Sequence, residues 1–147
     1  MPKKVPACLF AALLLMTAVA AEARDTRHIL AIEQAMATAD ARAKLDGDIQ
    51  FLFGKSASAD IAQSHGEFTA NRKTNAFNKS DTEACNWVFL SAMLALQERA
   101  RKEGGNAVIN IRSFYKKHEI DSSNEFECGA GALIAGVALK GEVVTLK

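Results

Sequence analysis

The sequence has little of what usually points to a specific chemistry. Its 147 residues include three cysteines, three histidines, one tryptophan and one tyrosine, and the net charge is +1. No His-x-His or Cys-x-x-Cys spacing occurs, and no serine stands in a Gly-x-Ser-x-Gly context. A chain this close to neutral has no global field to attract nucleic acid or anionic lipid. We therefore expect no cofactor and no metal.

The first 23 residues have the pattern of a secretory signal peptide. Lys3 and Lys4 give a positive start, residues 9–20 (LFAALLLMTAVA) form an apolar core, and a small-x-small cleavage motif ends at Ala23. The alternative, a transmembrane anchor, needs about 20 apolar residues, and this core is shorter. We predict cleavage after Ala23 and export to the periplasm.

The exported chain, residues 24–147, predicts a single domain. It keeps 16 basic and 16 acidic residues, and it is long enough to bury a modest core. Cys8 lies at the start of the apolar core rather than after it, so we expect neither lipid attachment nor a stable membrane anchor. Cys85 and Cys128 are left, and two cysteines in an exported protein predict one disulfide. The alternative is a reactive thiol.

The most distinct helix signal spans residues 81–103. Ser80 and Glu83 form a capping box, and Gly104 follows the last helical turn. The helix has a broad apolar side that includes Trp87, which predicts packing against a sheet.

The remaining segments predict a second helix, strands and a polar loop. Residues 66–77 alternate with one wholly polar row, which we expect to face water. Three glycines in the last segment predict the close approach of another backbone or helix, with Trp87 and Phe89 as candidates to fill the space. The predicted elements are a helix over 27–45, strands over 49–53, 66–77 and 106–111 (extending towards Tyr115), a polar loop over 116–125, and a long strand or strand pair over 126–146.

Two short motifs resemble those of known families. GGNAVINI, residues 104–111, resembles the helix-to-strand turn of the YbjQ family and of the RcsF envelope-stress sensors, and ECGAGALIAGVALKG, residues 127–141, resembles their last strand. The resemblance implies an α+β fold in which a central capped helix packs on a small, mostly antiparallel sheet, and it implies a structural disulfide at Cys128. The lipidated cysteine, proline-rich linker and second cysteine pair of RcsF are missing, so its signalling is not carried over.

Longer segments resemble a group of small exported proteobacterial proteins often labelled "excinuclease ATPase subunit". These segments are NRKTNAFNKSDTEAC, FLSAMLALQERA and ECGAGALIAGVALKGEVV. The label requires phosphate-binding P-loops, and Gly54-Lys55-Ser56 has the last three letters of one. The first glycine of the motif would fall at Ile49, and the residues between have the apolar pattern of a strand. We predict a turn that closes this strand, and no nucleotide-dependent excinuclease activity.

Thiol chemistry is the enzymatic alternative. Cys85 lies in the first turn of the predicted helix, where the helix dipole lowers the pKa of a thiol. His65 or His118 could serve as its base in a hydrolase or redox protein. A disulfide with Cys128 would remove that nucleophile, and we favour the disulfide.

Two exposed surfaces are predicted to make contacts. They are the polar strand, with Asn71, Arg72, Lys73 and Asn75, and the loop 115–125, with His118. Arg72 and Lys73 could contact phosphate or RNA, but they belong to no wider basic patch, so we expect no nucleic acid. His118 with nearby acidic residues could bind a cation weakly, although such a loop is ordinarily only solvated.

Together these patterns predict an exported, non-enzymatic α+β protein with the 27–45 helix on another surface. We expect a periplasmic binding or envelope-stress-associated module that acts through protein contacts, with an envelope protein as partner. A thiol-dependent enzyme or redox protein using Cys85 is the alternative.

Overall fold

The computed structural model describes Pro2, residues 24–55 and residues 59–147. Apart from Pro2, the predicted signal peptide lies outside the described residues, and so does Ser56. The described residues form a curled six-stranded sheet with three α-helices. In chain order the elements are β1 (Thr26–Ala31), α1 (Ile32–Met36), α2 (Ala39–Lys44), β2 (Gln50–Phe53), β3 (Ile61–Asn75), α3 (Asp81–Glu103), β4 (Ala107–Ser113), β5 (Glu125–Ala130) and β6 (Ile134–Leu146).

Strand β6 is the centre of the sheet. One edge pairs antiparallel with β3 over nearly its full length, and the other edge pairs antiparallel with β5 near Ile134 and with β4 towards Leu146. Strand β1 continues the sheet beyond β5 in antiparallel orientation, and β2 continues it beyond β4 in parallel orientation. Because β4 and β5 share one edge of β6, the sheet divides on that side and curls.

Helix α3 begins and ends at its local signals. The Ser80 hydroxyl accepts a hydrogen bond from the backbone N–H of Glu83 at 3.1 Å, and Gly104 takes the left-handed conformation at φ 78°. Its bounds, Asp81–Glu103, are those that the sequence predicts. The buried side of the helix contacts β3 and β6. Burying each large apolar side chain there contributes about 1.5–3 kcal/mol of stability.

The core packs α3 against strands that come before it and after it in the sequence. The ring of Phe89 lies 4.3 Å from that of Phe126 and 6.3 Å from that of Phe53, centroid to centroid. In the same core, Cys85 of α3 and Cys128 of β5 form a disulfide with Cα atoms 5.9 Å apart. The predicted mixed α and β fold and the predicted cysteine pair are confirmed. The disulfide attaches the first turn of α3 to β5.

The N-terminal helix predicted over 27–45 is wrong in its first part. Residues Thr26–Ala31 form β1, which pairs with β5. Only the short helices α1 and α2 follow, and the Thr38 hydroxyl caps the second by accepting from the N–H of Ala41. Local composition favours a helix here, but a strand pairs with the backbone hydrogen-bonding groups along the edge of β5. Such non-local pairing outweighs intrinsic propensity.

Strand β3 is longer than the predicted 66–77 strand. It begins at Ile61, and its register with β6 shifts twice before Phe68. The two alternating rows of side chains on β3 differ as predicted: Ala70 of the apolar row is buried, and Lys73 of the polar row is exposed. The last segment is the strand pair β5 and β6 rather than one strand. None of the helices in the described part of the chain is long and apolar enough to cross a membrane.

Candidate functional site: a polar pocket on the outer face of the sheet

The two faces of the sheet differ in chemistry. Phe126 and Cys128 contact α3, so the residues that alternate with them on β5, Glu127 and Gly129, lie on the opposite side. We call this side the outer face. Cross-strand neighbours share a face. The register therefore places one row across the outer face, in the order Arg27, Gly129, Gly136 and Lys73.

The only tyrosine of the chain lies over the two glycines in this row. A Cβ on Gly129 would lie 2.2 Å from the Tyr115 hydroxyl oxygen, and a Cβ on Gly136 would lie 3.1 Å from the Tyr115 ring. Gly129 and Gly136 face each other directly across β5 and β6, so together they form a flat seat for the ring. The glycines thus permit a close approach, as predicted, but the group that approaches is Tyr115 rather than Trp87 or Phe89.

A pocket of about 260 Å³ opens beside this tyrosine, and we call it the outer pocket. Its walls come from the start of the described chain, from β1 and β5, and from the segment that follows β4. Every residue in the lining has a titratable side chain. The lining consists of Asp25, Arg27, Tyr115, Lys116, His118 and Glu127.

Glu127 is the buried member of the outer pocket. Its side chain is 5% exposed, and its Oε1 accepts a hydrogen bond from Nε of Arg27 at 2.5 Å. Its Oε2 is buried and has no hydrogen-bond partner among the described residues. Nδ1 of His118 lies 3.8 Å from Oε2. The backbone N–H of Glu127 donates to the Ser113 hydroxyl at 2.9 Å, which fixes the strand beneath the carboxylate.

Asp25 accepts hydrogen bonds from two other residues of the pocket. The ammonium of Lys116 donates to it, and the Tyr115 hydroxyl donates to its Oδ1 at 3.3 Å. The hydrogen bond from Lys116 is the main cause that lowers the pKa of Asp25. Burial, and then the charge of Asp25, raise the pKa of Tyr115. Lys116 adopts a left-handed backbone at φ 51°, which costs about 1–3 kcal/mol for a residue other than glycine.

These contacts leave one buried polar atom of the outer pocket without a partner. Arg27 satisfies Oε1 of Glu127, and Lys116 neutralises Asp25, so the free acceptor is Oε2 of Glu127. A buried acceptor without a partner costs about 1–3 kcal/mol, and more when it is charged. A hydrogen-bond donor brought by a ligand would recover that cost. The outer pocket is therefore suited to binding, and its lining offers no thiol or activated hydroxyl as nucleophile.

The predicted interaction residues do not all share one surface. Asn71, Lys73 and Asn75 alternate along β3, and Lys73 lies opposite Gly136, so these three belong to the outer face. His118 lines the outer pocket on the same face. Arg72 instead lines a groove against α3, on the opposite side of the sheet.

The polar loop does not assemble a cation site. Glu119 pairs with Lys55 and lies 3.1 Å from Nε of Arg112, and Asp121 accepts from the backbone N–H of Lys55 at 2.8 Å. These contacts occupy the carboxylates near His118. Among residues 24–55 and 59–147, no group of three or more His, Cys, Asp or Glu side chains is placed to hold a metal ion.

The other two motifs also have structural roles. Cys85 is joined to Cys128 and both are fully buried, so the thiol that a Cys85 enzyme requires is taken up. Gly54, at φ 80°, directly follows β2, and its N–H donates to the carbonyl of Ile111. The predicted turn after the strand is confirmed at Gly54 and Lys55.

A separate apolar patch lies at the turn between β5 and β6. Phe77, Leu133 and Ile134 are each more than half exposed, and Lys73 and Asn75 border them. Neither of the buried polar atoms that lack a hydrogen-bond partner among the described residues belongs to the patch, so nothing in it suggests what binds there. It carries less chemical information than the outer pocket.

Most residues of the outer pocket were not identified from the sequence. His118 was identified, but the reason was its acidic neighbours in the loop rather than the residues of this pocket. A usable signal was present at Glu127, because a charged residue within a short buried strand needs a partner or a function. The residues missed are Asp25, Arg27 and Glu127, while Tyr115 and Lys116 fall within the predicted 115–125 surface without being singled out.

Comparison with protein-family models, with curated proteins and with solved structures gives no match for this chain. The geometry of the described residues is therefore the basis for a functional proposal.

Proposed function

We propose that this protein is an exported, non-enzymatic binding module that acts through protein contacts on its outer face. The observation that carries the proposal is the free Oε2 of Glu127, which is buried in a pocket of charged side chains. Folded proteins pair nearly all buried polar atoms. An acceptor kept without a partner, beside a backbone in a costly conformation at Lys116, is typical of a site prepared for a ligand.

The surroundings of the pocket favour a protein partner over a small enclosed substrate. The outer pocket is small, and the polar row Asn71, Lys73 and Asn75 lies on the same face of the sheet. A partner that covers this face could place one side chain in the pocket and contact the row. Such an arrangement, with one anchoring side chain surrounded by weaker polar contacts, is common in protein interfaces.

We infer a periplasmic location with an envelope protein as partner. The disulfide between Cys85 and Cys128 is compatible with an oxidising compartment. Arg24, the first residue after the predicted cleavage site, donates two hydrogen bonds to Asp81, at 2.9 and 3.0 Å. A chain that begins at Arg24 therefore keeps the contacts that hold β1 against α3.

We also infer that the fold is the central-helix arrangement of the YbjQ and RcsF-like families, which suggests an association with envelope stress. Two observations support this inference. The capped helix α3 contacts β3 and β6, and four of the five strand pairings that involve the sheet are antiparallel.

Photocrosslinking at matched positions tests the proposal. Asn71 and Arg72 are adjacent and exposed, but they lie on opposite faces of the sheet. A benzoylphenylalanine introduced at Asn71 in the exported protein should form a discrete adduct with an envelope protein, and the same group at Arg72 should not. Equal adducts at both positions, or none at either, would contradict binding through the outer face.

A further inference from the structure

We propose that the outer pocket recognises a protonated primary amine, whose ammonium group donates a hydrogen bond to Oε2 of Glu127. This inference deepens the proposed function and rests on the same site. It names the chemical group that the pocket takes, and it can be tested separately from the contacts of the wider face.

The charges of the pocket select a cation. Arg27 binds only Oε1 of Glu127, and Lys116 is already paired with Asp25. An anion would meet the two carboxylates, and the arginine and the lysine of the lining are each already paired with one of them. A charged donor, in contrast, forms a stronger hydrogen bond with a carboxylate than a neutral donor does.

The geometry favours an ammonium over a guanidinium. Guanidinium groups are most selective when both oxygens of a carboxylate are open to a two-pronged contact. Here Oε1 is occupied by Arg27, and only Oε2 is free. A single free oxygen suits the compact charge of an ammonium, and a volume of about 260 Å³ accommodates an alkyl chain behind it.

The Tyr115 ring supplies the apolar part of the site. It lies against Gly129 and Gly136, and Nζ of Lys116 already lies 5.5 Å from its centroid. A cation near an aromatic face gains about 0.5–1 kcal/mol at exposed sites and more when desolvated. The ring can therefore contact both the methylene stem and the charge of an alkylamine.

His118 is the movable group beside the free oxygen. Its side chain is 65% exposed, and its Nδ1 stands 3.8 Å from Oε2 of Glu127. Since Oε2 itself is closed to solvent, an entering ammonium must displace a neighbour, and an exposed imidazole is the one that costs least to move. His118→Ala should therefore bind amines at least as tightly as the unchanged protein.

Two sources can supply the same group, namely a lysine side chain of a protein and a free small amine. The probes that separate them are N-acetyl-lysine-N-methylamide and n-butylammonium, with n-butanol as a neutral control of similar size. Binding is followed by amide NMR of the isotopically labelled exported protein. If only n-butylammonium binds, the site takes small amines; if the lysine derivative binds at least as well, it takes lysine side chains.

In the unchanged protein, the amine probes should shift the amide signals of Gly129 and Tyr115, and n-butanol should not. Glu127→Gln should weaken amine binding by roughly tenfold or more, because it replaces a charged acceptor with a neutral one. The matched control is Glu125→Gln, on the same strand but exposed, which should bind as the unchanged protein does.

Equal shifts with n-butanol and n-butylammonium in the unchanged protein would overturn the amine proposal without any variant. Unchanged affinity in a folded Glu127→Gln protein would also overturn it. The crosslinks at Asn71 report separately on the proposed function, since they need no occupied pocket. Crosslinks without amine binding would refute only the ligand, and amine binding without crosslinks would refute the protein contacts.

Discussion

Arg27 and Glu127, on adjacent strands, form an ion pair that uses one carboxylate oxygen and leaves the other free. Nε of Arg27 lies 2.5 Å from Oε1, while Oε2 has no hydrogen-bond partner. The arginine side chain is 56% exposed and the glutamate side chain 5% exposed, so the pair joins a solvated cation to a buried anion. Removing the arginine should therefore change the stability of the fold differently from removing the glutamate.

Arg27→Ala should lower the free energy of unfolding by about 1–3 kcal/mol, because the buried Glu127 carboxyl would lose the partner of its Oε1. The double variant Arg27→Ala with Glu127→Gln should be more stable than Arg27→Ala alone, since it removes the buried charge as well. Urea unfolding measures both. Arg42→Ala, at an exposed position of α2, is the control and should change stability by less than about 0.5 kcal/mol. A double variant less stable than the single one would contradict this account.

Gly129→Ala should displace Tyr115 from its seat. The new Cβ would lie 2.2 Å from the tyrosine hydroxyl oxygen and 2.6 Å from Oδ1 of Asp25. Crowding of this kind costs about 1–3 kcal/mol, and the ring signals of Tyr115 in NMR spectra should move. Gly47→Ala is the matched control, because nothing lies within 4 Å of its Cβ. The seat would be refuted if both variants unfolded alike and left the Tyr115 signals in place.

The disulfide should account for a large part of the stability. It closes a loop with a sequence separation of 43, and the chain-entropy treatment gives about 3–4 kcal/mol for such a loop. The double variant Cys85→Ala with Cys128→Ala should therefore unfold at a markedly lower urea concentration than the oxidised protein. Two titratable thiols in the native exported protein, or an unchanged urea midpoint in the variant, would show that the cysteine pair does not stabilise the fold as a disulfide.

Acid should weaken the attachment of the N-terminal segment to α3. Hydrogen bonds, first from Arg24 and then from His28, lower the pKa of Asp81 in the folded protein. A lowered pKa means that the carboxylate stabilises the fold above its ordinary unfolded pKa near 4, and that this contribution is lost as pH falls through the folded value. Asp81→Asn should therefore have a lower Tm at pH 7 and lose less on acidification to pH 3.

The control for this prediction is Asp40→Asn, an exposed residue of α2. Its Tm should follow that of the unchanged protein at both pH values. If Asp81→Asn and the unchanged protein lost the same Tm between pH 7 and pH 3, Asp81 would have no special role in acid sensitivity.

The sequence predicts elements with local signals better than elements that depend on distant pairing. Helix α3 has its cap at Ser80 and its stop at Gly104 within the segment itself, so its bounds follow from the sequence. Residues 27–31 have helical composition, but they pair with β5, about one hundred positions away. No local sequence signal indicates that pairing.

The outer pocket was missed for a related reason. The glycines indicate that something packs closely on β5 and β6, but they do not say on which face. The disulfide does, because Cys128 must face Cys85 on α3 and Gly129 must then face away from the helix. That alternation excludes Trp87 and Phe89 as partners. It leaves the segment after β4, where Tyr115 lies.

The most direct test of the central claim observes the Glu127 carboxylate itself. In protein labelled with ¹³C at the glutamate carboxyl carbons, addition of n-butylammonium should move the Glu127 signal, which Glu127→Gln assigns by its disappearance. The signal of exposed Glu125 should stay in place, and n-butanol should move neither. If the Glu127 signal did not respond, or if every exposed glutamate responded equally, the outer pocket would not be a site for a protonated amine.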